Sequence, residues 1–423
     1  MILSFAPLIR HRDLRLLYVG EFVSSMGSML TVVVLPYQIF HLTHSSLAVG
    51  MIGIAQLAPL LGTGLIGGAY ADSMDRRKLV IFSALALLAC AIAFALNSNG
   101  SQPQLWLIYL LAAIASAAKG FYEPTLQAMM PRLAAPEEMP ALSALNSLKG
   151  TTAMVVGPAL GGILIARFGI AATYWTDALS YLVFLGTLLG MSPMPASSSA
   201  PSPGLKSIQE GIHYAANRQD LIGTYLVDFV AVIFGMPMAL FPAIAETFGG
   251  AATLGWLYAA PSAGAFVAAL LSGWTKRIRR HGAAIAIAAS VWGLAIIAFG
   301  FTKNLPLSLF FLALAGGADM VSGIFRTTIW NTTIPDHLRG RMAGIEMLSY
   351  MSGPLLGNAE SGLAAALAGT QFAVVSGGVL CVIGVFFCVC KLPLFWQYDS
   401  RSGGSRLIDS ECEAQESSLP PTI

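Results

Sequence analysis

The stretch GGAYADSMDRRKL, residues 67–79, places two glycines, two acids and three consecutive bases between two long apolar segments. Each of those segments is about 20 residues long, the length that an α-helix needs to cross a bilayer. The bases at 76–78 indicate a short loop that anchors two membrane-spanning helices. Gly67 and Gly68 remove side chains at the end of the preceding span, so that another helix can approach it closely.

The composition of the whole chain supports a membrane protein. Of its 423 residues, 56% are hydrophobic and 10% are charged, and the mean hydropathy is +0.71. A soluble globular domain carries about a quarter charged residues, and the strands of a transmembrane barrel would alternate apolar and polar residues. The net charge of +2 does not indicate a nucleic-acid partner. We therefore expect an all-α protein in a lipid bilayer.

Twelve apolar segments recur from end to end and predict twelve transmembrane helices. They cover residues 14–41, 46–70, 79–97, 105–130, 141–166, 170–192, 220–246, 252–274, 283–302, 306–331, 342–368 and 370–393. A connection rich in Ser and Pro divides them into two groups of six. The predicted domains are an N-terminal six-helix bundle over 1–192, a cytoplasmic central loop over 193–219, a C-terminal six-helix bundle over 220–396 and a disordered tail over 397–423.

The distribution of Lys and Arg between alternate loops predicts the orientation. Eighteen lie on one side, and only Arg167 and Lys303 lie on the other. Because positively charged loops are retained in the cytoplasm, both termini are expected there. The chain is then a multi-pass protein of the cell inner membrane.

The sequence carries no motif for catalysis, for a cofactor or for a metal ion. Its five cysteines lack the spacing of a metal site, and its six histidines lie scattered near the membrane edges. It has no G-x-x-x-x-G-K-[ST] loop that would bind nucleotide phosphates. We expect no enzyme activity, no cofactor and no metal; a membrane-embedded enzyme or a non-transporting sensor is the alternative from a different class.

The stretch GAYADSMDRRKLV, residues 68–80, resembles the signature that the major facilitator superfamily carries between helices 2 and 3, G-x-L-A-D-r-x-G-R-[KR]. The matching residues are Gly68, Ala71, Asp72, Arg76 and Arg77. Tyr70 and Asp75 stand where Leu and Gly are usual. The resemblance implies a gating motif made of Gly68, Asp72, Arg76 and Arg77, in which Asp72 caps the start of helix 11.

The run GPALGG in the fifth span resembles the helix-5 motif of antiporters in that superfamily. Its residues are Gly157, Pro158, Gly161 and Gly162. Ala153 and Ala144 stand where the motif usually has glycine, so the motif is incomplete.

Longer segments resemble the enterobactin-exporter-like group of the superfamily and its macrolide-efflux relatives. Examples are MPRLAAPEEMPALSALNSL at 130–148, YWTDALSYL at 174–182 and IPDHLRGRMAGI at 334–345. The resemblance implies two pseudo-symmetric six-helix bundles, alternating access, and export of a siderophore or similar amphipathic small molecule in exchange for protons. Broad drug or macrolide efflux is the alternative within transport. We expect the chain to act as a monomer.

Ionisable residues inside the spans mark a polar pathway, because a charge at mid-membrane costs ~3 kcal/mol or more and normally faces the bundle interior. Spans 1, 4, 7 and 10, which line the central cavity in the superfamily, carry Glu21, Lys119, Glu123, Asp228, Asp319 and Arg326. We assign these six to the substrate and proton pathway. Outside this set, the spans also contain Lys149, Asp177, Glu346 and Glu360.

The spacing of the pathway residues leaves several arrangements open. Lys119 and Glu123 share one helix face, as do Asp319 and Arg326, so each pair can interact. The two bases either attract an anionic substrate or pair with carboxylates of the chain. Glu21 either lines the pathway or extends toward the cytoplasm.

Overall fold

The computed structural model describes residues 4–194, 214 and 218–399, and it gives side-chain positions for these except at 65–73, 336–345, 347 and 348. Apart from one isolated backbone pairing between Arg280 and Asp399, the described residues form helices, short 3-10 turns and connecting loops. The prediction of an all-α membrane fold is confirmed.

Long helices follow the predicted spans closely. They are α1 (Arg12–Thr43), α2 (Ser46–Ser73), α3 (Arg76–Asn99), α4 (Leu105–Met129), α5 and α6 (the two parts of Met139–Leu189), α7 (Gln219–Gly235), α8 (Ala251–Leu270), α9 (His281–Phe301), α10 (Leu305–Thr333), α11 (Asp336–Ala368) and α12 (Thr370–Lys391). A 3-10 turn at Met238–Leu240 and a short helix at Phe241–Thr247 extend α7 to the end of its span.

The number of crossings is consistent with twelve. Among the described residues, ten helical stretches are long and apolar enough to cross a membrane, and one of them, Pro136–Leu189, has 54 residues. At 1.5 Å per residue that stretch is about 80 Å long, enough for two crossings. Gly169, with φ of 84°, breaks it into α5 and α6, which gives eleven crossings. The twelfth is α11, a helix of 33 residues that is not among the ten. Gly369, with φ of 89°, makes the equivalent turn between α11 and α12. Glycine adopts this left-handed conformation at little cost.

The two bundles meet along two seams, α2 against α11 and α5 against α8. A Cβ at Gly50 would lie 2.5 Å from the carbonyl oxygen of Asn358, and one at Gly53 would overlap the carbonyl oxygen of Leu355. On the other seam, a Cβ at Gly162 would lie 2.7 Å from the carbonyl oxygen of Ala251. These glycines therefore allow the helix backbones to touch.

Both seams are tight at one end of the molecule. The close glycines lie toward the end of the molecule that carries the α1–α2 turn, and we call this the far end. The opposite end carries the loop before α3, and we call it the basic end. Toward the basic end, a Cβ at Gly62 of α2 or at Gly150 of α5 would have no described atom within 4 Å apart from its own stretch of helix. Among the described residues, the bundles are thus in contact at the far end, and there is space beside Gly62 and Gly150 toward the basic end.

The chain remains folded past the last long helix. Phe395 is fully buried, and the hydroxyl of Tyr398 lies 3.1 Å from Oγ1 of Thr332 and 3.2 Å from Oγ1 of Thr333. The predicted tail begins at 397, but the ordered segment continues to Asp399, because these aromatic side chains dock against the ends of α7, α9 and α10. Residues 400–423 of the predicted tail, and most of the predicted central loop, lie outside the described residues.

Candidate functional site

An arginine in α10 joins two carboxylates in the C-terminal bundle. Arg326 forms an ion pair with Asp228 of α7. It forms a second, longer ion pair with Asp319 on the same face of its own helix, with 3.4 Å between Nη2 of Arg326 and Oδ1 of Asp319. The Arg326 side chain is 13% exposed and that of Asp319 is 44% exposed. Glu346 of α11 also interacts electrostatically with Arg326. One base therefore faces three acids, and Arg326 is paired within the chain.

A second ion pair lies in the N-terminal bundle. Nζ of Lys149 in α5 lies 2.6 Å from Oε1 of Glu21 in α1, and the two side chains are 7% and 15% exposed. The same Nζ lies 5.4 Å from the ring centroid of Tyr18. The second oxygen of Glu21, Oε2, is buried without a hydrogen-bond partner among the described residues. Glu21 therefore turns into the bundle and does not extend toward the cytoplasm.

Lys119 and Glu123 of α4 lie on one helix face, but they form no ion pair within 4.0 Å among the described residues. Glu123 interacts electrostatically with Lys119, Lys149 and Glu21. Lys119 also interacts with Asp177 of α6, a buried carboxylate that accepts a 2.5 Å hydrogen bond from Oγ1 of Thr31 in α1. In this bundle, two bases therefore interact electrostatically with three acids.

A tyrosine of α11 interacts electrostatically with both groups of charges. Tyr350 interacts electrostatically with Asp319 and Arg326 of the C-terminal bundle and with Glu123 of the N-terminal bundle. Its side chain is 70% exposed.

The predicted pathway set does not include Lys149, Asp177, Glu346 and Tyr350. The first three are charges inside predicted spans, but they lie on helices outside the set expected to line the cavity. The available signal was the cost of burying a charge, which requires a partner wherever the charge occurs. Tyr350 gave no signal beyond its place four residues after Glu346, which puts both on one helix face.

Replacing Lys149 with methionine is expected to destabilise the protein by about 3 kcal/mol, because Glu21 would keep a buried charge without its partner. The double variant Lys149→Met with Glu21→Gln should recover most of that loss, since both charges are then removed. Denaturant unfolding of the purified protein in detergent measures both. Equal stability of the single and double variants would show that the two side chains are not coupled.

The two arginines of the motif after α2 hold the N-terminal bundle together. Nη1 of Arg76 donates to the carbonyl oxygen of Ala128 at 2.8 Å. Nε of Arg77 donates to the carbonyl oxygen of Leu188 at 2.7 Å. These bonds satisfy carbonyls at the C-terminal ends of α4 and α6, where a positive charge is favoured. Asp75, which departs from the superfamily signature, caps the N-terminus of α3 by accepting from the backbone N–H of Lys78.

The predicted gating motif is only partly visible at side-chain level. Gly68 and Asp72 lie among the residues whose side chains are outside the described set. The capping of α11 by Asp72 therefore stays a prediction.

The helix-5 motif serves two interfaces. Gly157 and Gly161 pack against α1, the former on Met29 and the latter on Leu30 and Val33. Gly162 instead meets Gly255 of α8 across the seam between the bundles, and the carbonyl oxygen of Pro158 lies against the same Gly255. One face of the motif thus packs against α1 within the N-terminal bundle, and the other face packs against α8 of the C-terminal bundle.

Comparison with known proteins gives the family. Residues 2–413 match the transmembrane secretion effector family, which is part of the major facilitator superfamily. The chain belongs to the transmembrane secretion effector family. Within this family it is similar to the enterobactin exporter EntS of Shigella boydii serotype 18 and to that of Escherichia coli O81. Each is 30% identical over 405 residues, which cover 93% of this chain and 95% of the relative.

Solved structures agree with this secretion effector fold. A bacterial homologue of the human lysosomal transporter Spinster, crystallised in an inward-facing and unoccupied conformation, gives a TM-score of 0.70 at 15% identity and covers 95% of this chain and 98% of its own. The nucleoside transporter NupG gives a TM-score of 0.67 at 12% identity, covering 90% and 98%. Relatives and fold are those of membrane transporters, not of enzymes. The chain is a multi-pass membrane transporter of the major facilitator type.

Proposed function

We propose that this transporter exports a small amphipathic molecule, such as a siderophore, from the cytoplasm in exchange for protons. The observation that supports this best is the cluster of Arg326 with Asp228 and Asp319. The curated relatives are named as exporters of enterobactin. In this proposal the chain works as a monomer in the cell inner membrane with both termini in the cytoplasm.

The cluster suits proton exchange because its charges do not balance. Arg326 neutralises one carboxylate, and Asp228, which is the less exposed of the two, is its close partner. Asp319 is then a surplus carboxylate at the edge of the open space. Binding of a proton to Asp319 removes the excess negative charge at a modest structural cost. Release of that proton restores the ion pair between Asp319 and Arg326. The other pathway residues would adjust the net charge of the pathway on the side of the N-terminal bundle. They are Glu21, Lys119 and Glu123.

The direction of export is supported by the distribution of basic loops and by the seams. If the basic end faces the cytoplasm, as the eighteen Lys and Arg on that side predict, the described conformation is open to cytoplasmic cargo. The gating motif of Gly68, Asp72, Arg76 and Arg77 would hold the basic end closed in the opposite state. Because the arginines bind the ends of α4 and α6, the motif would move together with the N-terminal bundle.

Proton exchange is tested by transport into inside-out membrane vesicles. With an imposed gradient of about two pH units, worth about 2.7 kcal/mol per proton, the wild type should accumulate enterobactin up to about a hundredfold. Collapse of the gradient should abolish the accumulation. Asp319→Asn should bind enterobactin but lose the dependence on the gradient, because the group that exchanges the proton is gone.

Glu246→Gln is the matched control, because Glu246 is an exposed carboxylate near the far end of α7. It should transport as the wild type does. Uptake that is indifferent to the gradient in the wild type would contradict proton antiport. Uptake of macrolides but not of enterobactin would favour the second candidate, drug efflux. That candidate is supported by the surplus of carboxylates, since many drugs carry an amine.

A further inference from the structure

The connection between α8 and α9 carries basic side chains that the described part of the chain does not use. It covers residues 271–280, between two stretches that are long and apolar enough to cross a membrane. Lys276, Arg277 and Arg279 are exposed, and they form no ion pair and no side-chain hydrogen bond among the described residues. The sequence from 247 to 318 contains no Asp or Glu that could neutralise them locally. Three positive charges therefore lie together without an acidic partner in the described chain.

Other arginines at the basic end are bonded to the protein itself. Arg76 and Arg77 donate to carbonyl oxygens at the ends of α4 and α6. Arg218 holds Asp220 with two bonds, 2.6 Å from Nη2 to Oδ2 and 3.1 Å from Nε to Oδ1. These arginines stabilise loops and helix ends. The three bases of the α8–α9 connection have no such role, so a partner from outside the chain is needed to explain their grouping.

The same connection exposes large apolar side chains. Leu270 and Leu271 are 70% and 67% exposed, and Trp274 is 48% exposed. Residues Ser272–Arg277 form a 3-10 helix, in which side chains three residues apart lie on the same face. Trp274 and Arg277 therefore share a face, and Leu271 precedes them by one turn. Because tryptophan is enriched at the boundary between membrane and water, this face is expected to lie at the level of the lipid head groups.

We propose that this connection binds the head group of an anionic phospholipid. The three bases would contact the negatively charged phosphate, and the two leucines and the tryptophan would contact the upper part of the acyl chains. We call these six residues the α8–α9 patch: Leu270, Leu271, Trp274, Lys276, Arg277 and Arg279. A Lys or Arg near the membrane surface strengthens binding to anionic lipid about fivefold. The inference does not depend on the direction or the proton coupling of the proposed export.

The place of the patch on α8 gives the bound lipid a structural consequence. Near its other end, α8 meets α5 across the seam between the bundles, where Gly255 lies against Gly162. The patch follows the last turn of α8, at the basic end. A lipid held there would fix the basic end of α8 at the membrane surface while the far end of the helix packs against α5.

The test compares two lipids with the same acyl chains. Dioleoylphosphatidylglycerol has a net negative charge, whereas the phosphate of dioleoylphosphatidylcholine is neutralised by the ammonium group of the same molecule. Each lipid is titrated into the purified full-length transporter in a non-ionic detergent, and the bound lipids are counted by native mass spectrometry. The wild type should bind phosphatidylglycerol about tenfold tighter or more. Inorganic phosphate at the same concentration should not displace it, because phosphate alone makes no contact with the apolar part of the patch.

Two triple variants with the same loss of charge locate the preference. Replacing the three bases of the patch with glutamine should bring the affinities for the two lipids within about twofold of each other. The matched control replaces three other exposed bases at the basic end, which lie on α1, α3 and α12 and should contribute little because they are on separate helices. Its substitutions are Arg12→Gln, Lys78→Gln and Lys391→Gln.

A single variant tests the apolar part of the patch. Trp274→Ala should weaken the binding of both lipids to a similar extent, because it removes a contact that does not depend on the head-group charge. The ratio of the two affinities should stay near that of the wild type. Monodisperse elution in detergent and an unchanged unfolding temperature verify that each variant is folded.

Several results would overturn the inference. Equal binding of the two lipids by the wild type would show that the patch does not select negative charge. An equal loss of preference in the two triple variants would show that the attraction is spread over the whole basic end. Displacement of the lipid by inorganic phosphate would indicate a site for a free anion. A preference that is lost only in the patch variant supports the lipid site, and it does so whether or not transport depends on a pH gradient.

Discussion

Replacing Gly53 with valine is expected to reduce transport about tenfold or more, because the new side chain cannot fit between α2 and α11. A Cβ at this position would overlap the carbonyl oxygen of Leu355, and a backbone atom cannot move aside as a flexible side chain can. Inserting extra carbon atoms into a tight contact costs about 1–3 kcal/mol, and every 1.4 kcal/mol changes a conformational equilibrium about tenfold. The far-end seam should therefore open, and the population should shift away from the described conformation.

Gly62→Val is the matched control for this change. It introduces the same side chain into the same helix, but a Cβ at Gly62 would have no described atom within 4 Å apart from its own stretch of helix. Spin labels at Leu42 and Leu367, which are exposed near the far ends of α1 and α11, measure the opening as a longer distance. If Gly53→Val and Gly62→Val gave the same label distance and the same transport rate, the seam would not be the far-end closure.

Replacing Arg326 with leucine is expected to destabilise the protein by about 3 kcal/mol, because Asp228, whose side chain is only 18% exposed, would lose its partner. Transport should also be lost, because Asp228 and Asp319 would no longer share a base with which either can pair. Arg167→Leu, which removes an exposed arginine near the α5–α6 turn, should change stability by less than about 0.5 kcal/mol. Denaturant unfolding in detergent compares the two.

A charge-balanced variant separates stability from transport. When Arg326→Leu is combined with Asp228→Leu, Asp319→Asn and Glu346→Gln, no unpaired charge of this cluster remains, and replacing a buried ion pair by apolar residues is often neutral for stability. This quadruple variant should fold nearly as well as the wild type while still failing to transport. Full activity of the quadruple variant would remove the cluster from the mechanism.

The helices themselves could be predicted from the sequence, because each span must bury about 20 residues of apolar length whatever surrounds it. The contact between Asp319 and Arg326 could also be predicted, since seven residues on one helix fix their relative direction. The ion pair of Lys149 with Glu21, and that of Arg326 with Asp228, could not. Each joins two helices, and the rotation of one helix against another is set by packing along its whole length.

The packing of the segment after α12 could not be predicted for a related reason. A short run with a few aromatic residues has no hydropathy signal of its own. Its conformation is determined by the helix surface against which it packs. Phe395 fills space left by Gly223 in α7 and Gly282 in α9. Neither glycine indicates by itself which part of the chain will cover it.

This docked segment has a consequence for how the molecule is assembled during synthesis. Phe395 and Tyr398 leave the ribosome after all twelve long helices, yet they cover the ends of α7, α9 and α10. Until they arrive, the ends of these helices lack their last apolar contact. The C-terminal bundle is therefore completed only after Tyr398 has been synthesised, and a chain that stops at Lys391 would insert every long helix but leave this end of the bundle uncovered.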